Sequence, residues 1–423
     1  MTRAMKDSGV EWIGEIPETW EIDRTKHFYT NHKDIAGSRS DEFERLALTL
    51  GGVIKRPKDD STGLQPEAFS GYQILRNGEL VVKLIDLENV STSRVGYSPY
   101  TGIVSPAYII LRPINADESL FGVYYFLSMW QREIFNHMGD DGVRSSLNAS
   151  DLLNIPYLHI PRDEKKRIVS FLDSECAKID AVIEQTRASI EEYKKLKQAV
   201  ITQAVTKGIR PNRPMKDSGM EWVKELPEEW AVIPSKYLFR NSDLRRREGD
   251  EQMTASQQHG IITQAKYMEL TGAKVVFANK GLEDWKHVEP FDFIISLRSF
   301  QGGLEMSETT GCITWHYIVL KPCKPIYSYY FKWLFKSELY IKALQRTCNF
   351  IRDGQDLRYS NFVQVPLFMP SMEEQKEIAG FLNVKCAEID ALISKKQGFV
   401  SELERYKKSM IFEYVTGKKE VEG

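Results

Sequence analysis

The sequence predicts an α/β protein of the α+β kind, built twice. Two pseudo-twofold-related mixed α/β domains are separated by two long helices packed as an antiparallel coiled coil. Three observations predict this. The stretch KDSGVEWIGEIPETW (residues 6–20) returns as KDSGMEWVKELPEEW (residues 216–230), identical at ten of fifteen positions. FLDSECAKIDAVI (residues 171–183) returns as FLNVKCAEIDALI (residues 381–393), identical at eight of thirteen and again offset by 210. Between these matched segments, over roughly residues 30–150 and 240–360, the halves diverge. Chance would leave about one identity per window, so the chain is a duplicated frame holding two different inserts.

The expected division is 1–160 for the first domain, 161–210 for the central helix and linker, 211–369 for the second domain, and 370–423 for the C-terminal helix. A chain of 423 residues is long enough for two or three domains. Repeated tryptophans in the frame (Trp12, Trp20, Trp222, Trp230) predict packing and docking positions. In the inserts, ELVVKLI and AYIILRP in the first and DFIISLR and HYIVLKP in the second read as strands. FGVYYFLSMWQREIFNHM and SYYFKWLFKSELYIKALQ read as aromatic-rich amphipathic helices. Faint likenesses persist between inserts. Gly51-Gly52-Val53-Ile54 matches His259-Gly260-Ile261-Ile262, and TGIVSPAYIILRP matches TGCITWHYIVLKP.

The frame's second segment reads as a long helix. Leu172, Cys176, Ile179, Ile183, Ile190, Tyr193, Val200 and Ala204 step by threes and fours. Leu382, Cys386, Ile389, Ile393, Val400, Leu403, Met410 and Tyr414 repeat the steps. Such spacing draws an apolar seam down one side, here interrupted by Thr186, Lys197, Lys396 and Lys407. Pro161 and Pro370, each followed by acidic residues, suit helix starts. Gly208 suits a C-cap, and IRPNRP then reads as a stiff linker. The simplest burial of two such seams is against each other.

Composition excludes several classes. At 42% hydrophobic and 27% charged the chain reads as ordinary, globular and cytoplasmic, with no membrane partner expected. Cys176, Cys312, Cys323, Cys348 and Cys386 show no C-x-x-C spacing, so no metal is expected. No phosphate loop, dinucleotide fingerprint, G-x-S-x-G or Asn/Asp-Pro-Pro-aromatic tetrapeptide is present, and catalytic residues are expected to be none. A net charge of −2 argues weakly against nucleic acid, although basic residues need only cluster on one face.

KDSGVEWIGEIPETWEI with its second copy, and EEQKEIAGFLNVKCAEIDALI with its first, resemble the specificity subunits of type I restriction-modification systems over the whole chain. The resemblance implies a non-catalytic subunit with two target-recognition domains. Each would read one half of a split double-stranded DNA site, and the paired helices would fix the unread spacer. Its implied partners are modification subunits, two of them, which bind S-adenosylmethionine and methylate adenine, and ATP-dependent restriction subunits. This chain itself would hold no cofactor; S-adenosylmethionine, ATP and Mg would serve the partners. A stand-alone nuclease or methyltransferase, and a scaffold binding only proteins, stay open as alternatives.

Base readout needs directed donors and acceptors, and phosphate positioning needs cations and hydroxyls. On that chemistry the first insert offers Thr49, Lys55 and Arg56 around the Gly51-Gly52 turn, Lys83 at a strand end, and Ser91, Thr92, Ser93 and Arg94 after it. It also offers Arg144, Ser145, Ser146 and Asn148. The second offers Ser256, Gln257, Gln258 and His259; Arg298, Ser299 and Gln301; and Arg352, Gln355 and Arg358. The plain alternative for each is a solvated loop residue. Arg245–Glu248 reads as a phosphate contact or solvated turn, and Cys176 and Cys386 as small core residues. Glu15, Glu18, Glu225 and Glu228 are candidates for a partner-subunit surface.

Overall fold

The computed structural model describes residues 3–49, 51–60, 66–84, 95–138, 146–297, 299–348 and 357–421. The chain forms two compact units, residues 1–186 with 398–423 and residues 187–397. The division passes through both long helices, Arg162–Lys207 and Met372–Val415, so each unit holds part of each helix.

In the first unit the opening frame stretch is a hairpin, Met5–Asp7 paired with Glu15–Pro17. A four-stranded antiparallel sheet follows, in the order Tyr29–Asn31, Ile109–Pro113, Leu80–Val82, Val95–Tyr97. The aromatic-rich helix Glu118–Gln131 packs Phe121, Tyr125 and Phe126 into the core behind the sheet. That core runs on into Leu172, Cys176, Ile179 and Ile183 of the first long helix and Val400, Met410, Ile411 and Val415 of the second. The two helix segments are antiparallel: Asp180 meets Lys407, and Phe171 meets Tyr414 further down one helix and further up the other.

The second unit repeats the plan. Its hairpin is Met215–Met220 with Val223–Pro227, and its sheet order is Phe239–Ser242, Ile318–Pro322, Phe293–Ile295, Glu305–Met306. Ile201, Ala204 and Val205 share a core with Ile378, Ala379, Leu382 and Cys386 of the second long helix, again antiparallel. Two elements depart from expectation. The stretch read as one helix over residues 121–138 ends at Gln131; Glu133 turns the chain at φ 59°, and Ile134–His137 is a separate 3-10 turn. The stretch read as a single helix over residues 328–345 is two, Ser328–Lys336 and Glu338–Arg346. Ser337 breaks it with extended backbone (ψ 140°), and its hydroxyl caps the new helix at Tyr340 N, 3.4 Å.

The charged interruptions of the seam are paired. Lys197 Nζ donates to Asp390 at 2.6 Å in the second unit, and Lys407 Nζ to Asp180 at 2.6 Å in the first. These are the same pair under the 210-residue repeat. Lys396 lies over the Tyr193 ring at 5.6 Å. Cys176 and Cys386 are buried on the seam, and burial pushes each thiol up to about 11, so both are inert packing residues.

The repeated sentence clamps helix ends. Trp20 Nε1 donates to Glu164 in the first turn of the first long helix, and Trp230 Nε1 to Glu374 in the first turn of the second, both at 2.9 Å. Arg3 and Arg213 supply the matching cations to the same carboxylates. Carboxylates here also suit the positive end of the helix dipole. Each tryptophan also abuts the glycine past the end of the other helix. A Cβ at Gly417 would meet Trp20 at 2.9 Å, and one at Gly208 would meet Trp230 at 3.4 Å. Both glycines sit at φ near +70°, where a side chain is strained.

Candidate nucleic-acid interface

In each unit the loops at one end of the four-stranded sheet gather the polar residues. In the first unit Val82 pairs with both Ile109 and Val95, so Lys83 leaves the sheet where the strand Ile109–Pro113 begins. Leu147 N donates to Leu84 O at 2.9 Å, which brings Ser146 and Asn148 to that end. Asn148 is exposed, yet its Oδ1 accepts from Ser150 N at 2.8 Å and Asp151 N at 3.0 Å, capping the helix Ala149–Asn154. Its first task is therefore local structure.

The hairpin Leu46–Thr49 with Gly52–Lys55 divides its candidates. The Arg45–Ile103 bridge is parallel, so the strand carries Thr49 toward the turn at residues 105–108. Lys55, opposite Leu46, and Arg56 stay at the far end. Lys55 pairs with Glu44 at 2.6 Å, and that bond and charge raise its amine pKa. Arg56 Nε donates to Asp60 at 2.7 Å. Thr49 Oγ1 donates to Gly52 O at 2.9 Å and accepts from Gly51 N at 3.2 Å, closing the turn. Lys83, Ser146, Asn148 and Thr49 thus share one end, and Lys55 with Arg56 do not.

The second unit gathers its candidates more tightly. The Gln252–Cys312 bridge is parallel, so the strand Met253–Ser256 delivers the turn at residues 257–259 level with Trp315 and His316. Ile295 pairs with Ile318, and Ile294 with Glu305, so the segment at residues 299–301 lies at the same end. Gln257, Gln258, His259 and Gln301 line one groove of about 600 Å³ with Lys332 and Lys336. A Cβ at Gly302 would meet Gln257 at 2.6 Å, so glycine lets that side chain lie along the segment bearing Gln301. Glu305, on the groove wall, is ion-paired to Lys336; burial nonetheless pushes its carboxyl up to about 6. Ser256 and Ser299 are buried: Ser256 Oγ accepts from His259 N at 3.2 Å, and Ser299 Oγ from Ser296 N at 2.9 Å.

Arg358 is exposed at the N-cap of the short helix Tyr359–Phe362, the position matching Asn148. Arg94, Arg144, Ser145, Arg298, Arg352 and Gln355 lie outside the described residues, as do Ser91, Thr92 and Ser93. In the Arg245–Glu248 run, Arg245 bonds Asp284 and Arg247 bonds Glu289, which makes it an ion-paired turn. Sequence reasoning did not single out Trp315 and His316. The signal was present: they stand where the aligned stretch of the first insert has Pro106 and Ala107. Among the described residues no three His, Cys, Asp or Glu side chains are placed to hold a metal, and no helix is long and apolar enough to cross a membrane.

No protein-family model matches the chain. It is 24% identical over 425 residues to the putative type I restriction enzyme MjaX specificity subunit of Methanocaldococcus jannaschii, spanning 96% of this chain and 95% of that protein. The type I restriction enzyme MjaVIII specificity subunit of the same organism is 25% identical over 224 residues, 52% of this chain and 49% of its own. The fold is shared with a chain in a solved structure concerned with complex assembly and conformational transition of the type I R-M system. That match has a TM-score of 0.67 at 14% identity and covers 96% of this chain and 99% of that one. The chain is thus similar over nearly its whole length to a type I restriction enzyme specificity subunit, and it has the mixed helix-and-strand fold of the matched chain in that solved structure.

Proposed function

We propose that the chain is the DNA sequence-recognition subunit of a type I restriction-modification complex. Each sheet end reads one half of a bipartite site in double-stranded DNA. The paired long helices set the spacer between the halves. Adenine methylation and ATP-dependent cleavage belong to partner subunits: two modification subunits using S-adenosylmethionine, and restriction subunits using ATP and Mg. The work is done in the cytoplasm. The exposed Glu15, Glu18, Glu225 and Glu228 on the frame hairpins offer the modification subunits equivalent surfaces.

The observation that carries this reading is a contrast. Frame contacts recur at matched positions, as in Trp20–Glu164 and Trp230–Glu374. The sheet-end loops do not: where one unit has Lys83, Pro106-Ala107 and Asn148, the other has Ser296, Trp315-His316 and Arg358. A constant scaffold with two different chemistries at equivalent places suits two different half-sites, and amides and cations in loops are what base edges and phosphates need. The test is exchange of residues 30–150 for those of a homologue, followed by methylome sequencing of cells carrying the whole complex. One half-site should change and the other, with the spacer, should stay. An unchanged target, or both halves changed, refutes the reading.

A further inference from the structure

Trp315 is 53% exposed on a turn, an unusual place for the largest apolar side chain. The turn is closed by Tyr317 N donating to Thr314 O at 3.1 Å. The matching turn of the first unit is closed in the same way, Tyr108 N to Ser105 O at 3.2 Å, but carries Pro106 and Ala107. The backbone therefore does not need the indole. His316 stacks on it with ring centroids 3.5 Å apart and planes 27° apart, which backs one face. Leu297, 59% exposed, follows the neighbouring strand Phe293–Ile295 at the same sheet end.

The neighbours define the chemistry. Gln258 and Gln301 present carboxamides at this end, and a carboxamide matches the N6 and N7 edge of adenine. The thymine of the same base pair offers a 5-methyl group in the same groove, which only an apolar surface recognises. Strands lie about 5 Å apart, so a sheet end three strands wide spans about three base steps. We propose that Trp315 reads thymine: its indole, backed by His316, packs on 5-methyl groups in an A·T-containing half-site whose adenines face these glutamines. The proposal rests on the reading of the second unit as a DNA reader and adds to it the base class and the residue.

The probe is a duplex carrying the mapped methylation site, with thymines replaced by deoxyuridine in the half-site that exchange of residues 30–150 leaves unchanged. Binding is measured with the assembled complex. Each buried methyl that is removed should weaken wild-type binding about fourfold. Trp315→Ala should bind the thymine duplex that much more weakly and ignore the uracil change, while Trp315→Phe should retain part of the sensitivity. Unchanged thermal melting of Trp315→Ala is expected, because backbone bonds close the turn. A half-site without A·T pairs would overturn the proposal. So would a uracil effect equal in wild type and Trp315→Ala, or none in either. A wild-type complex that leaves no footprint on DNA would sink the DNA-reading assignment itself, so the two failures are distinct.

Discussion

The duplicated clamp allows a matched experiment within one chain. Glu374 and Glu164 hold the same place in their helices and accept the same tryptophan N–H at 2.9 Å. Their burial differs. The Glu374 and Arg213 side chains are 2% and 8% exposed, whereas Glu164 and Arg3 are 14% and 19% exposed. Removing one partner of a buried pair strands the other, at about 3–5 kcal/mol. Arg213 keeps a second, exposed partner in Glu229, so the low end, about 3 kcal/mol, applies to Glu374→Ala. Glu164→Ala leaves a cation that water can reach and should lose about 1–2 kcal/mol. For a unit of this size that converts to melting shifts of roughly 6–12 °C against 2–8 °C. Glu374→Gln keeps an acceptor for Trp230 and removes only the charge, so it should fall between wild type and Glu374→Ala. Calorimetry of the three variants is the assay. Equal shifts for Glu374→Ala and Glu164→Ala, or a larger one for Glu164→Ala, would refute the link between burial and clamp strength.

Two further predictions follow from charged groups. Lys197 occupies a seam position and is 25% exposed, while its partner Asp390 is 54% exposed, so the pair itself is weak. Lys197→Leu should leave melting unchanged or raise it by an amount worth up to about 1 kcal/mol, and a clear loss would mean the ion pair matters more than the seam. Glu305, whose carboxyl is raised from 4.5 to about 6, holds a proton in the folded state that the unfolded state releases. Its stabilising contribution is therefore complete below about pH 4.5 and lost as pH rises through about 6, a difference of about 2 kcal/mol. In urea unfolding at pH 4.5 and pH 7, Glu305→Gln should lack that loss; an identical pH response in the variant would show that burial does not control this group.

The long helices were legible because their signal is periodic and local. Leu172 through Ala204 and Leu382 through Tyr414 mark the seam at fixed steps, and all but Tyr193, Val200, Leu403 and Tyr414, which are partly exposed, are buried. The four strands Leu80–Val82, Ile109–Pro113, Phe293–Ile295 and Ile318–Pro322 were legible as short apolar runs, another local signal. Ser337 was not. Nothing in residues 328–345 disturbs the apolar pattern, and the break is decided by one hydroxyl that caps better than it continues. The interface candidates were chosen by chemistry, and their place was not legible. Lys55 and Thr49 lie six residues apart in sequence at opposite ends of one hairpin, because antiparallel pairing and the Arg45–Ile103 bridge set the direction. Register of that kind depends on strands far away in the chain, and no window of sequence contains it.

A duplicated chain that kept both copies identical would present the same surface twice. Here the parts kept alike are those that must fit a common partner within the fold: a tryptophan and an arginine must both meet one carboxylate in the first helical turn, so Trp20 with Arg3 and Trp230 with Arg213 have no freedom to drift. Sheet-end turns carry no such constraint. The turn at residues 105–108 and the turn at residues 314–317 are held by the same backbone bond, which is indifferent to side chain, so Pro106-Ala107 can stand where Trp315-His316 stands. Divergence therefore collects where backbone alone maintains the structure. That is also where a side chain can be exchanged without loss of fold, which under the proposed function would let the two sheet ends answer to different half-sites while one frame carries both.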